Sequence, residues 1–177
     1  MKGEKTLGRK DIFQGRIINV HVDDVELENG GKGIREVVDH PGGVCVAAVT
    51  KDKELLFVRQ FRYPYHEECL ELPAGKLEKG EDPADAIRRE LKEETGCTGR
   101  NWQFLGNLYP SPGYCGEIIR LWACEVESES GELDLDEDEY VECERISLGK
   151  AVEMVMNNEI PDAKTQVLIL KAARLFG

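Results

Sequence analysis

Three glutamates, Glu90, Glu93 and Glu94, stand close together in a stretch that predicts a helix. A helical turn of about 100° per residue places the three carboxylates side by side along the edge of an apolar seam. Two like charges about 5 Å apart repel each other by roughly 3 kcal/mol at an effective dielectric of about 20. A divalent cation would reverse the sign of this energy, and hard oxygen ligands suit Mg²⁺ or Mn²⁺. For any single glutamate, the simpler interpretation is that Glu is a good helix former.

The helix that carries these glutamates has clear start and stop signals. Asp82 is a good N-cap, Pro83 fits the first helical position, and Gly96 stands where a helix end favours a left-handed residue. The apolar arc between them consists of Ala84, Ile87 and Leu91. Arg89 lies one turn before Glu93 on the same side, so it can pair with that carboxylate and hold it in place.

The rest of the chain predicts strands around this helix and two further helices near its end. Partial alternation of apolar and polar residues predicts strands at 17–27 and 34–39, joined by a turn at 28–33. Five more strands are predicted, at 44–49, 54–59, 102–108 and 119–126 and near Val141. Ser147 and Asp162 are predicted to cap the two last helices. Strand pairs together with helices indicate an α/β or α+β fold.

The composition limits the class of protein. With 177 residues, the chain has a normal length for one domain with an adequate core. Its formal net charge of -12 argues against nucleic acid as a partner, because phosphate binding needs a basic surface. The six cysteines form no C-x2-C pair, which indicates reduced thiols and a cytoplasmic protein. No apolar run approaches the roughly 18 residues that a membrane helix needs, so no membrane partner is expected.

The segment 75–97 resembles the signature of a known enzyme family. Written as G-x5-E-x7-R-E-U-x-E-E-x-G-U, where U is an apolar residue, it is similar to the Nudix box. The matching residues are Gly75, Glu81, Arg89, Glu90, Leu91, Glu93, Glu94, Gly96 and Cys97. The resemblance implies an α+β fold of the Nudix type, an α/β/α sandwich in which a mixed β-sheet lies between helices. An N-terminal antiparallel β-hairpin precedes it, so we expect residues 1–40 to form the hairpin element and residues 41–177 the Nudix domain.

The sequence around the box resembles the ADP-ribose pyrophosphatase branch of this family. The similar segments are 60–64, 71–75 and 111–113, followed by Glu117. Pro112 stands at the distance past the box that marks the subfamily. The resemblance extends from about residue 35 to the end of the chain.

The same resemblance implies a metal site. The implied Mg²⁺ ligands are the main-chain carbonyl of Ala74 and the side chains of Glu90 and Glu94. Glu93 would be a further ligand or a carboxylate beside them, and Arg89 would hold it in place, so both count among the candidate catalytic residues. By the same resemblance, Glu81 is not a ligand itself but a glutamate that stabilises the conformation of the box.

An acidic loop at 136–139 completes the implied catalytic set. By resemblance, Glu137 is the general base and Glu139 an additional metal ligand and catalytic residue. Because four acidic residues follow one another here, the two roles could shift by one or two positions. Without the resemblance, the simpler interpretation of such a run is a solvated loop.

Several residues are implied to contact the substrate. Arg62 matches an arginine that grips a diphosphate, since the fork of a guanidinium fits phosphate oxygens. The further candidates in the same chain are Lys76, Ser111, Gly113 and Glu117. In this branch the N-terminal element is exchanged between subunits, so Arg35 and Glu36 would act in the site of the other protomer of a homodimer.

These residues together predict hydrolysis of the diphosphate bond of ADP-ribose, by attack of water at phosphorus, to AMP and ribose 5-phosphate. One alternative is a broader nucleoside diphosphate sugar pyrophosphatase, with GDP-mannose as an example of its substrates. A more remote alternative is a binding module with the Nudix fold and no catalysis, although such proteins usually have a damaged box and this box is complete.

Overall fold

The structure is a computed structural model of the chain, and it describes residues 3–129 and 141–177. The strands in these residues are β1 (Lys5–Gln14), β2 (Asn19–Glu26), β3 (Lys32–Asp39), β4 (Gly43–Val49), β5 (Glu54–Arg62), β6 (Glu67–Glu71), β7 (Ala74–Lys76), β8 (Cys97–Leu108), β9 (Ile119–Glu129) and β10 (Val141–Ser147). The helices are α1 (Pro83–Thr95), α2 (Leu148–Met156) and α3 (Ala163–Phe176). Within the described residues, no helix combines the length and the apolar composition that crossing a membrane requires.

The chain divides into two compact units. One contains Met1–Gly42 and Tyr109–Ile118, and the other contains Gly43–Leu108 and Ile119–Gly177. The sequence did not predict that the loop at 109–118 belongs with the N-terminal strands. The predicted boundary between residues 40 and 41 stays a prediction.

The N-terminal unit contains a three-stranded antiparallel sheet in the order β1-β2-β3. The sequence predicts β2 and β3 but not β1. The reason is that nearly every side chain of β1 is exposed, and a strand exposed on both faces leaves no alternation of apolar and polar residues. The loop at 109–118 is joined to β3 by its main chain: Val38 N donates to Tyr114 O at 2.8 Å, and Gly116 N donates to Val38 O at 2.9 Å.

The second unit is built on a seven-stranded mixed sheet. Its main order is β10-β5-β4-β9-β8, with β6 paired to β5 and β7 paired to β4. The β4–β9 pair is parallel and the other pairs are antiparallel. The short strands β6 and β7 were not predicted. They place the chain from Glu71 to Lys76 beside the two central strands, where the start of the box must lie.

Strand β4 explains why helices cover both faces of this sheet. All seven of its residues are buried, and successive side chains point to opposite faces. Cys45, Ala47 and Val49 belong to one apolar core, together with residues of α2 and α3. Val44, Val46 and Ala48 belong to a second core, together with Ile87 and Leu91 of α1. The sheet therefore lies between α1 and the α2–α3 pair, which confirms the predicted α/β/α sandwich.

Helix α1 begins and ends where the sequence predicted. The Asp82 side chain accepts a hydrogen bond from Ala84 N at 2.8 Å and so caps the first turn. Gly96 has φ 65°, in the left-handed region, and its N–H donates to Lys92 O at 2.8 Å. Ser147 and Asp162 cap α2 and α3, also as predicted. The caps at Asp82 and Gly96 fix both ends of α1, the helix that carries the candidate ligands.

Candidate active site

Two of the three clustered glutamates lie inside the protein. Glu90 is 8% exposed and Glu94 is 3% exposed, and both are on the buried face of α1 with Ile87 and Leu91. The helical spacing predicts these carboxylates at the edge of the apolar seam, but both are buried in it. The chain at Ala74–Lys76 packs against that face of α1, so the two carboxylates are covered by main chain. Ala86 completes the buried apolar residues of the helix, whereas the predicted Ala84 is only half-buried.

Main-chain atoms at the start of the box contact both buried carboxylates. Ala74 N donates to Glu94 Oε2 at 3.0 Å. A Cβ atom on Gly75 would lie 1.9 Å from both Cδ and Oε1 of Glu90. Because no side chain fits into that distance, only glycine allows the Glu90 carboxylate to lie against the chain here. The structure thus brings three of the implied metal ligands, Ala74, Glu90 and Glu94, into one place.

Arg89 connects the helix to the loop that precedes it. Its Nε and Nη2 donate to the two carboxylate oxygens of Glu81, at 2.9 and 3.1 Å. Its Nη1 lies 2.8 Å from Glu93 Oε2 and 2.9 Å from Glu90 Oε1. The predicted ion pair between Arg89 and Glu93 is therefore present, and the same guanidinium also contacts Glu90. A hydrogen bond from Glu78 N to Glu81 Oε2 at 3.0 Å completes the connection.

The charge of Arg89 also acts on the acidity of the loop. Its hydrogen bonds hold the pKa of the Glu81 carboxyl below the usual value, and this effect outweighs the desolvation that raises that pKa. Glu81 is consequently charged at neutral pH and remains a partner for the guanidinium. One arginine thus fixes the positions of three carboxylates, those of Glu81, Glu90 and Glu93.

Replacing Arg89 by lysine keeps the positive charge but removes the planar fork, so we expect Arg89→Lys to lower kcat by about tenfold. An ammonium group cannot donate to Glu81 with two parallel bonds and still reach Glu93 and Glu90. The control is Arg88→Lys on the exposed face of the same helix, which should change kcat by less than about twofold. Steady-state kinetics on both variants checks this, and equal activities of the two would contradict the role given to the Arg89 fork.

The donor atoms gathered here suit a divalent metal ion. Carboxylates and a main-chain carbonyl are hard oxygen ligands, and the space that a Gly75 side chain would fill holds one of those carboxylates. In the part of the chain that the structure describes, no three His, Cys, Asp or Glu side chains form a metal-binding cluster by themselves. The predicted ligand Glu139 and the predicted base Glu137 lie outside the described residues. The residues present fit a metal by their chemistry, and their roles as ligands stay proposals.

Arg62 has a partner that the sequence analysis did not anticipate. Its Nε and Nη2 donate to the two carboxylate oxygens of Glu71, at 2.6 and 2.7 Å. Glu71 is 2% exposed and also pairs with the buried ammonium of Lys164. Burial raises the pKa of the Glu71 carboxyl, whereas its bonds to Arg62 and Lys164 lower it. The second effect is larger, so the pKa of Glu71 lies below the usual value. Lys164 is far from Arg62 and Glu71 in sequence, so no local pattern in the sequence indicates this cluster.

The remaining candidates for substrate contact are divided between the two units. Lys76 is exposed at the end of β7 in the second unit. The N-terminal unit contains Arg35, Glu36, Ser111, Gly113 and Glu117. Arg35, on β3, donates from Nε to Glu4 Oε2 at 2.8 Å. Glu117 Oε1 lies 3.5 Å from Nδ1 of His40, a nitrogen that also accepts a hydrogen bond from Gly42 N. The hydrogen bonds between β3 and the loop at 109–118 hold these five candidates in one unit.

Comparison with known proteins identifies both parts of the chain. Residues 39–167 match the family model described as NUDIX domain. Residues 4–38 match the model described as nucleoside diphosphate sugar hydrolase N-terminal domain. The first match covers well over half of the chain, and the second covers the three strands of the N-terminal sheet almost completely.

The relatives agree with these matches. An ADP-ribose pyrophosphatase of Bacillus subtilis is 45% identical over 175 residues, which cover 96% of this chain and 95% of the relative. A methanol dehydrogenase activator of Bacillus methanolicus is 41% identical over 94% of this chain and 90% of its own length. A crystal structure of an ADP compounds hydrolase superposes with a TM-score of 0.84 at 21% identity, covering 99% of this chain and 95% of that chain, which shows a common fold. A complete box, two matching family models and relatives that align over nearly their whole length establish that the chain belongs to the Nudix hydrolases, in the branch of the ADP-ribose pyrophosphatases.

Proposed function

We propose that this enzyme hydrolyses the diphosphate bond of ADP-ribose, yielding AMP and ribose 5-phosphate. Hydrolysis of the pyrophosphate of a nucleotide sugar follows from membership of the family, and ADP-ribose is the finer assignment. The observation that carries the proposal is the pair of buried carboxylates, Glu90 and Glu94, held against the main chain at Ala74 and Gly75. These carboxylates supply hard oxygen donors at the start of the box, which suit a divalent cation, and a diphosphate needs a cation for its own charge.

Nudix hydrolases generally need divalent metal ions, and we propose Mg²⁺ here, with Mn²⁺ as a substitute. Ala74, Glu90 and Glu94 would hold the ion, with Glu93 and Glu139 as further candidates. When bound, the ion supplies charge neutralisation of the diphosphate and makes water more acidic. The protein supplies the positions of the ligands: Gly75 leaves room for one carboxylate, and Ala74 N holds the other.

The other side chains bind and orient the reacting groups. Arg89 holds Glu93 and Glu90 at the surface of α1 through its Nη1 atom. Arg62 would bind phosphate oxygens with the edge of its guanidinium that Glu71 does not use. Glu137 is the proposed base that removes a proton from the attacking water. That water attacks phosphorus, and the other phosphate leaves with its sugar or nucleoside.

Further residues are proposed to recognise the substrate, on the basis of the sequence resemblance. Lys76, Ser111, Gly113 and Glu117 would contact the substrate beyond the diphosphate. A broader activity on nucleoside diphosphate sugars, including GDP-mannose, is the alternative, and the description of the family model matched by residues 4–38 supports it. The remote alternative of a binding module without catalysis is not retained, because the chain belongs to a family of hydrolases.

A homodimer is proposed because the N-terminal sheet exposes apolar side chains. Five of them in this unit are each roughly half exposed: Leu7, Ile12, Phe13, Ile17 and Ile34. A partner subunit that exchanges its N-terminal strands would cover them, and Arg35 and Glu36 would then serve the partner's site. Light scattering coupled to size exclusion tests this, and a monomer at micromolar concentration would exclude the exchange. The cytoplasmic location stays a prediction.

Phosphate release coupled through a phosphomonoesterase tests the proposed substrate. The panel is ADP-ribose, ADP-glucose, GDP-mannose, NADH and a diadenosine polyphosphate, each with Mg²⁺ and with EDTA. We expect ADP-ribose to have the highest kcat/KM, and EDTA to abolish turnover of every substrate, because the ion would both neutralise the diphosphate and make water more acidic. Similar rates on several sugar nucleotides would replace the ADP-ribose assignment with the broader one.

A further inference from the structure

Four charged side chains form a cluster in the second unit, next to the start of the box. They are Arg62 at the end of β5, Glu71 at the end of β6, and Asp162 and Lys164 at the start of α3. Glu71 lies at the centre, with the guanidinium of Arg62 on one side and the ammonium of Lys164 on the other. Lys164 also lies 3.0 Å from Asp162 Oδ2. Glu71 and Lys164 are 2% and 9% exposed, so these two charges have little contact with water.

Stability alone does not account for these charges. Taking two ions out of water costs several kcal/mol each, and apolar residues of the same volume often serve a fold equally well. The neighbouring side chains of the same core are apolar, namely Leu70, Leu72 and Leu168. Lys164 and Glu71 lie among these apolar side chains, and Glu71 contacts an arginine that reaches the surface. This arrangement indicates that the two buried charges have a role beyond stabilising the core.

The arrangement fixes the orientation of the Arg62 guanidinium. Glu71 accepts from Nε and Nη2, which together form one edge of the planar group. The Arg62 side chain is 36% exposed, and its bonds to Glu71 do not use the remaining edge, which includes Nη1. An arginine held in this way has lost most of its rotamer freedom before it binds, and the entropy cost of binding falls accordingly.

The first turn of α3 in turn fixes Glu71. Lys164 extends from this turn to Glu71, and Thr165 Oγ1 in the same turn accepts a hydrogen bond from Leu72 N at 3.0 Å. The N-cap Asp162 holds Thr165 N at 2.9 Å and keeps the turn formed. Two adjacent residues of one chain segment, Glu71 and Leu72, are thus attached to two adjacent residues of α3.

We propose that Glu71 and Lys164 are positioning residues for hydrolysis: Lys164 holds Glu71, and Glu71 holds Arg62 with its open edge directed at the diphosphate of the substrate. This inference rests on the proposed binding of the diphosphate by Arg62. The cluster contains two cations and two anions, so their charges balance. It therefore contributes the orientation of the Arg62 guanidinium and not an additional attraction for the diphosphate. A diphosphate that meets a fixed guanidinium forms two parallel hydrogen bonds without first having to order the side chain.

A double-mutant cycle on Arg62 and Glu71 tests the proposal with the best substrate of the panel. KM and kcat are measured for the wild type, Arg62→Ala, Glu71→Gln and the double variant, with saturating Mg²⁺. We expect KM to rise about tenfold in Arg62→Ala and about fivefold in Glu71→Gln, with smaller changes in kcat. In the double variant KM should equal that of Arg62→Ala within about twofold, because Glu71 has no further effect once the guanidinium is gone.

Independent effects of the two substitutions on KM would overturn the proposal. A merely structural Glu71 would raise KM by the same factor with and without Arg62. A normal KM in Arg62→Ala would overturn the diphosphate contact itself, and with it this inference, whereas turnover of the panel by the wild type would remain. If Glu71→Gln does not fold, Lys164→Met takes its place in the cycle, since it removes the ammonium but keeps the stem of the side chain.

Glu144→Gln is the matched control, because it removes the ion-pair partner of a different arginine on β5. Glu144 Oε1 accepts from Arg59 Nη2 at 2.6 Å across the β5–β10 pair, and both side chains are more than a third exposed. This variant also removes a carboxylate that holds an arginine of the same strand. Its KM should stay within about twofold of the wild type. An increase in KM as large as that of Glu71→Gln would show that any lost ion pair on β5 has this effect, and would overturn the positioning role.

Discussion

Glu94→Gln is expected to reduce kcat by two to three orders of magnitude and to leave the fold intact. Glutamine has the same shape, and its side-chain oxygen can still accept the hydrogen bond from Ala74 N. What it lacks is the negative charge that would bind the proposed divalent cation. A metal ion in such a site contributes several kcal/mol to the reaction, and about 1.4 kcal/mol corresponds to a factor of ten in rate.

The measurement is kcat at saturating ADP-ribose over a range of Mg²⁺ concentrations, together with the thermal unfolding midpoint. Glu153→Gln on the exposed side of α2 is the control, because it removes one carboxylate that is 69% exposed and distant from the box in sequence. It should leave both quantities unchanged. Near-normal turnover of Glu94→Gln at any Mg²⁺ concentration would exclude Glu94 as a ligand.

Gly75→Ala is expected to have the second-largest effect, a loss of about 100-fold in kcat/KM. The new Cβ would lie 1.9 Å from the Glu90 carboxylate, far inside van der Waals contact. The carboxylate can move, because it is the end of a flexible side chain, so the protein should still fold at a cost of about 1–3 kcal/mol. Its displacement removes a proposed ligand from its place, and the Mg²⁺ concentration at half-maximal activity should therefore rise.

Gly149→Ala controls for the substitution itself. Gly149 lies in the first turn of α2, where a Cβ atom meets nothing within 4 Å. Alanine there should keep full activity and add up to about 1 kcal/mol of stability, because glycine is unfavourable in a helix. If Gly75→Ala had the same Mg²⁺ dependence as the wild type, the close approach of Gly75 to Glu90 would have no part in metal binding.

The sequence predicted the main elements wherever one local signal was strong enough. Asp82 and Gly96 defined both ends of α1, since a capping carboxylate and a left-handed glycine are local requirements of a helix. The apolar run of β4 predicted a strand buried on both faces. Strand β1 was missed because its side chains are exposed. Strands β6 and β7 were missed because they are short, Pro73 lies between them and Gly75 lies within β7.

The sequence predicted which residues of α1 belong to the candidate site, but not that two of them are buried. The spacing of Glu90 and Glu94 placed them on one side of α1, as found. That they are buried depends on the strand β7 packing over them, a contact between segments that helical periodicity cannot reveal. The cluster of Glu71 with Lys164 joins residues that are distant in sequence, so no local pattern announces it. Glu137 and Glu139 lie outside the described residues, and their roles remain predictions from resemblance.

The central claim is that water attacks a phosphorus atom of the diphosphate of ADP-ribose with a metal ion present. Turnover in water enriched in ¹⁸O, followed by mass spectrometry of the products, tests it directly. We expect AMP and ribose 5-phosphate as products, with one ¹⁸O atom in a phosphate group of one of them and no reaction in EDTA. Label in a sugar hydroxyl, products that retain the diphosphate, or unchanged turnover in EDTA would contradict it.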